Sequence, residues 1–297
     1  MGSSDRKPLP DTLWLFLLLL PVLLIPGAFI LIPAFQTLVT GCMQDVTFLP
    51  RTWTGFSNYA RLAGDPAFRE SLRFTLLFIA VSVPIEVAAG LFLALLMQHP
   101  SPFRGTIRAL VLIPWAIPAA VAGRIWQLIY NYDWGAANYL AGCAGIPPVN
   151  WLGSPTGAFI ALVVADLWKT VPFVAVILLA GCSAVPEHLY RQAEIDGAAF
   201  PRRFFSLTLP LLRPVIIVAV LFRTIDALRI FDLIFILTSG GPGGATSSLS
   251  LLAYNYFVGG DFGYGSAVST VIFFCALGIA VAVVKIGRFG GSLVQTG

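Results

Sequence analysis

Charge is scarce in this sequence, and lysine scarcest of all: 11% of the 297 residues are charged and lysine stands only at Lys7, Lys169 and Lys285. None of the three closes a G-x-x-x-x-G-K-[ST] phosphate loop, so any nucleotide hydrolysis that serves this chain belongs to another subunit. The two histidines, His99 and His188, are isolated, and the four cysteines lack metal-ligand spacing, which leaves no metal motif. There is no H-E-x-x-H run, serine nucleophile elbow or carboxylate pair in a soluble cleft, and the chain reads as a non-enzyme. The net charge of +4 comes without a basic patch interleaved with aromatics, which argues against a nucleic-acid partner.

What the sequence has in abundance is apolar length. Hydrophobic residues make up 58% and mean hydropathy is +0.86, values that place the chain in a bilayer. Six runs reach the roughly 20 apolar residues a spanning helix needs: near Leu13 to Val39, Leu72 to Met97, Ala109 to Tyr130, Ala158 to Gly181, Leu207 to Leu237 and Gly265 to Val284. The first is too long for a signal-peptide core and no small-residue cleavage site follows it, so it reads as a retained span. The expected fold is all-α, with a tail over 1–11, a six-span domain over 12–286 and a second tail over 287–297.

Orientation follows from the basic residues. With both termini in the cytoplasm, the inner segments hold ten (Arg6, Lys7, Arg104, Arg108, Arg191, Arg202, Arg203, Arg213, Lys285, Arg288) and the outer segments three (Arg51, Arg61, Arg69), in accord with the positive-inside rule. Cys42 and Cys143 then share the outer side; they are expected as small buried thiols, with a disulfide as the alternative.

Two polar features interrupt the apolar pattern. The first lies over about 185–206, where Pro186 and Glu187 suit a helix start, Gly197 suits a left-handed turn and Pro201 starts another helix. The second is Arg223-Thr-Ile-Asp226-Ala-Leu-Arg229-Ile-Phe-Asp232 inside the fifth run. Each such charge costs about 2.5–3.5 kcal/mol at the bilayer centre, so partners or water are required. Neighbours three apart can pair, yet each step turns by about 60°, so the row wraps from the bundle interior toward a hydrated cavity or a partner. Glu86 is expected buried between helices, and Asp166 and Lys169 to pair on one helical face.

The spacing Arg191-Gln-Ala193-Glu194-Ile-Asp196-Gly197, nine residues, then Leu207-Thr-Leu-Pro210 resembles the cytoplasmic "EAA" loop of ABC importer permeases, with Arg191 and Gln192 where Glu and Ala are usual. Gly55-Phe-Ser-Asn-Tyr59, Leu112-Ile-Pro-Trp115 and the stretch from Arg223 to Thr246 are similar to carbohydrate-importer permeases of the maltose and trehalose type. That resemblance implies the type I permease fold in the inner membrane, a second homologous permease, two ATPase subunits that carry ATP and Mg, an extracytoplasmic solute-binding protein and a sugar substrate. It implies no cofactor on this chain. Arg191, Ala193, Glu194, Asp196, Gly197 and Pro210 become the ATPase-coupling candidates. Trp126, Gln127, Tyr130, Arg223, Asp226, Arg229, Tyr254 and Asn255 become pathway candidates, since sugar hydroxyls need donors and acceptors and pyranose faces stack on rings. The rival reading is an ion-coupled secondary transporter using Asp226, Asp232 or Glu86.

Overall fold

A computed structural model describes residues 11–98 and 102–291, so most of both expected tails and His99 lie outside the described residues. The chain runs α1 (Asp11–Pro26), a π-helical turn (Gly27–Leu31), α2 (Ile32–Gly41), a two-stranded hairpin β1 (Met43–Gln44) and β2 (Thr52–Trp53), and α3 (Ser57–Gly64). Next come α4 (Pro66–Gln98), α5 (Arg104–Ala116), α6 (Ala119–Ile129), α7 (Ala136–Cys143) and α8 (Pro155–Ala184). The last part holds α9 (Glu187–Ile195), α10 (Phe200–Arg203), a π-helical turn (Phe204–Thr208), α11 (Leu209–Leu228), α12 (Asp232–Leu237), α13 (Leu249–Val258) and α14 (Phe262–Gly291).

Among the described residues five helical stretches are long and apolar enough to cross a bilayer, and α5 with α6, bent by 90°, makes a sixth when the pair is counted as one span. The third expected span is therefore not straight. Pro118 has no N–H to continue the ladder and disfavours helical geometry at Ile117, which is extended at ψ 130. The fifth also departs from one continuous run: α11 stops at Leu228, and Arg229 to Phe231 separate it from α12.

Packing is centred on α8. In its most apolar window 61% of residues are buried, against none in the most apolar window of Leu18–Gly41. Between helices already in lipid, association rests on close packing, for which small residues are needed. Gly90 of α4 supplies it, since a Cβ there would stand 2.6 Å from Val174 Cγ1 on α8. Ala94, Ala161, Ala165 and Ala175 extend the tight seam. At the C-terminal end of α4, Arg104 Nε donates to the open Met97 carbonyl at 3.2 Å.

Candidate functional site: an elbow joined to a charged cavity

The segment between α8 and α11 folds as a rigid elbow. At the end of α9 the Gly197 N–H donates to Glu194 O at 3.0 Å and the Ala198 N–H to Ala193 O at 2.9 Å. This pair of bonds is a Schellman stop, and it needs the left-handed φ of +73 found at Gly197. Pro186 is the residue before the helix rather than its first turn, because α9 begins at Glu187. Glu187 pairs with Arg191 at 3.0 Å, and Glu194 reaches Arg203 at 3.6 Å across the bend. The Tyr190 and Thr208 hydroxyls, 3.2 Å apart, tie α9 to the start of α11, and Pro210 lies in the first turn of α11. A cavity of about 340 Å³ opens between Leu95, Gln98, Tyr190, Phe200 and Thr208. Ile195, Phe200 and Phe205 are exposed on the elbow, an apolar surface within a polar segment.

About 29 residues of nearly unbroken helix, Phe200–Leu228, lead from this elbow into the bundle. There Arg223, 2% exposed, meets carboxylates from three helices. Its Nε donates to Glu86 Oε2 at 2.5 Å and its Nη2 to Glu86 Oε1 at 2.9 Å, a bidentate grip on α4. Nη2 also donates to Asp166 Oδ2 of α8 at 3.0 Å, and Nη1 to Asp226 Oδ2 one turn along α11. Glu86 is fully buried, as expected, whereas the Asp226 side chain is 56% exposed.

The expected Asp166–Lys169 bridge is absent. Asp166 turns to Arg223, and Lys169 Nζ donates instead to the carbonyls of Trp115 and Ile117, at 3.3 and 2.6 Å. Those carbonyls lie where α5 ends at the 90° corner and would otherwise lack partners, which makes Lys169 a cap on the break. Nor does the charge row pair along its whole length. Arg229 lies 3.8 Å from Asp226, but Asp232 starts α12 and joins no ion pair among the described residues, because the helix break removes the three-residue spacing.

Two cavities flank the cluster, of about 360 and 470 Å³, and both are lined by Lys169, Thr170, Arg223, Asp226 and Arg229. Asp166 and Asp232 face the first; Trp115 and Phe173, stacked at 5.5 Å and 11°, face the second. Of the eight pathway candidates, these cavities gather Arg223, Asp226 and Arg229. Tyr130 is buried, with its hydroxyl donating to Ala161 O at 3.4 Å, and the partly buried Trp126 packs edge-on to Trp168 against the core. Gln127 accepts from Arg124 at 2.6 Å, away from the cavities. Tyr254 packs tilted against Phe231 and edge-on to Phe235 beside a separate hollow, and its neighbour Asn255 is exposed. Lys169 and the Trp115–Phe173 stack were not among the pathway candidates, and Asp232 entered only through the charge row and the ion-coupled alternative. Their signal was faint: a lysine within an apolar span, and aromatics beside Pro114 and Pro172.

The same bundle recurs in solved structures. A bacterial alginate ABC transporter in complex with alginate pentasaccharide-bound periplasmic protein has a chain that superposes with a TM-score of 0.82 at 20% identity, over 96% of each chain. The model of the binding-protein-dependent transport system inner membrane component family matches residues 86–286, which takes in Glu86, Asp166, Arg223 and the whole elbow. The chain belongs to that family.

This permease is 48% identical over 275 residues, 92% of its own length and 93% of the relative's, to the trehalose/maltose transport system permease protein MalF of Thermococcus litoralis. It is 37% identical to the sulfoquinovosyl glycerol transport system permease protein SmoG of Agrobacterium fabrum, over 97% of each chain. It is 40% identical to the trehalose transport system permease protein SugA of Mycobacterium tuberculosis, over 78% of this chain and 74% of that one. It is thus a multi-pass inner-membrane component of an ABC importer, of a family that is not itself catalytic, and the ion-coupled alternative has no support. Cys42 and Cys143 are both free, and Cys143 is exposed rather than buried.

Proposed function

We propose that this permease imports a disaccharide of the trehalose or maltose type, working with a second homologous permease, two cytoplasmic ATPases that bind ATP and Mg, and an extracytoplasmic solute-binding protein. The observation that carries the cargo is the 48% identity with the Thermococcus litoralis trehalose/maltose permease along nearly the whole chain. The charged cavities agree with it: Lys169, Arg223 and Arg229 offer donors, Asp226 and Asp232 offer acceptors, and the Trp115–Phe173 stack offers a ring face.

In this reading the ATPases press on Arg191, Ala193, Glu194, Asp196 and Gly197. The Schellman stop and the Tyr190–Thr208 contact make the elbow stiff, so displacement passes through Pro210 into α11. At 1.5 Å per residue, Phe200 and Arg223 lie roughly 35 Å apart along the rod. Its far end holds α4 and α8 through Arg223, so movement of α11 strains or re-forms the contacts to Glu86 and Asp166 beside the cavities. Cargo shifts the inward- and outward-open states only through its different affinity for each.

The test is uptake by vesicles that contain the assembled complex and a panel of labelled disaccharides. Trehalose or maltose uptake that needs ATP and survives an uncoupler is expected. Asp226→Asn should lower uptake more than it lowers complex yield. Uptake that collapses with the ion gradient, or equal losses of uptake and yield in the variant, would remove the respective claim.

A further inference from the structure

The two cavities beside Arg223 follow one another along the bundle. On α8 the first is bordered by Asp166 and the second by Phe173, about two turns nearer the elbow. Along α11 and the break after it, the first extends on to Leu233, whereas the second extends back to Phe222 and Ile225. In the bent span Ala119, after the corner, borders the first, and Trp115, before the corner, borders the second. Since α8 runs into the elbow and α11 out of it, both place the second cavity on the elbow side. α5 agrees, because it starts beside the end of α4, where Leu95 and Gln98 border the hollow of the elbow.

Five residues border both cavities, and four of them are fixed. Thr170 donates to Asp166 O at 2.7 Å, Lys169 is bound to the carbonyls of the corner, Arg223 to its three carboxylates, and Asp226 to Arg223. Arg229 is the exception. It makes no hydrogen bond among the described residues, its side chain is 71% exposed, and its ion pair with Asp226 Oδ1 is 3.8 Å long. So exposed a pair holds weakly. Arg229 also stands at the break, as the residue that ends α11. Asp226 lies three residues before it and Asp232 three after; Asp232 is exposed, faces the first cavity alone and joins no ion pair among the described residues.

We propose that Arg229 is the gate between the two cavities and swings from Asp226 to Asp232 when α11 moves. Paired with Asp226, its guanidinium lies in the strip common to both cavities and divides them. Paired with Asp232, it withdraws toward the first cavity and joins them. Asp226 travels with Arg229 on α11, whereas Asp232 belongs to α12. α12 is seated on α6, where a Cβ at Gly123 would stand 2.9 Å from Ile236 Cβ. Movement of α11 against that pair therefore changes mainly the distance to Asp232, and one cation with two resting places answers it by switching. That the switch serves sugar passage rests on the proposed import function; the division of the cavities does not.

Engineered cysteines read the division without any sugar. Ala119→Cys reports on the first cavity and Ile225→Cys on the second. The full importer complex, free of nucleotide, is reconstituted in vesicles with the elbow face outward and treated with a membrane-impermeant methanethiosulfonate. Peptide mass spectrometry then reads each position apart from the native thiols. Ile225→Cys should be labelled, and Ala119→Cys roughly tenfold more slowly; adding Arg229→Ala should bring the two rates together. Asp232→Asn, which removes the second resting place, should leave Ala119→Cys slow and lower ATP-driven uptake roughly tenfold at unchanged complex yield, the effect of one lost charge-assisted contact. An unlabelled Ile225→Cys, equal rates while Arg229 is present, slow labelling of Ala119→Cys that survives Arg229→Ala, or full uptake with Asp232→Asn would overturn the gate. If the unsubstituted complex takes up no disaccharide, the cargo reading alone fails, and the labelling still decides the gate.

Discussion

Replacing Arg223 with methionine tests whether three spans are held by one guanidinium. The change keeps the length and apolar stem of the side chain and removes its charge. It leaves Glu86, fully buried, and Asp166, 6% exposed, facing each other without their cation. Breaking a buried pair by deleting one partner costs about 3–5 kcal/mol, because the charge left behind is unsolvated. The contact to the half-exposed Asp226 adds at most about 1 kcal/mol. At about 1.4 kcal/mol per decade, the folding equilibrium constant should fall by roughly two to four decades. Chemical unfolding of the purified complex in mixed micelles reads this directly. The triple variant Glu86→Gln, Asp166→Asn, Arg223→Met should recover most of the loss, since neutral groups no longer demand a counter-charge. A loss below about 1 kcal/mol for Arg223→Met, or a triple variant no more stable than the single one, would refute the argument.

Gly197→Val should uncouple ATP hydrolysis from uptake while insertion stays normal, because a β-branched residue resists a φ of +73 although the site has open space; Gly197→Asn should keep coupling, and the ratio of ATP hydrolysed to sugar imported is the readout. Gly90→Ala should lower stability by about 1–3 kcal/mol, as its methyl would meet Val174 Cγ1 at 2.6 Å and push α4 from α8; thermal unfolding of the complex checks it. Burial alone would raise the Asp65 carboxyl, but hydrogen bonds from Tyr264, the Ala67 N–H and Tyr256 outweigh it and hold Asp65 below the ordinary carboxylate range. Its folded value is lowered, so the stability it supplies is fully present above about pH 4 and is lost as pH falls through the folded value. Asp65→Asn should flatten that acid limb in a pH series of unfolding midpoints.

Much of the architecture was legible because its signals are local. Apolar runs about 20 residues long specify spans wherever they fold, and the lack of a phosphate loop is a property of the text itself. The elbow was equally readable: Gly197 at the end of a short amphipathic helix needs no distant residue to take a left-handed turn, and the Schellman bonds follow. The buried state of Glu86 also followed from its cost in lipid, without knowledge of its partner.

Partnership was not legible in this way. Spacing along one helix offered Lys169 to Asp166 and Asp232 to Arg229, and the fold chose otherwise. Pro118 turns the third span through a corner whose free carbonyls draw Lys169 away. The approach of α4, α8 and α11 puts three carboxylates around Arg223, and the stop at Leu228 separates Asp232 from the row. The sequence by itself therefore determined that the chain spans a membrane, how often, and where its elbow bends, since hydropathy and turn chemistry act over a few residues. Which charges meet, and which polar atoms border a cavity, was decided only by tertiary structure, because ion pairs and hydrogen bonds depend on distances between helices far apart in the chain.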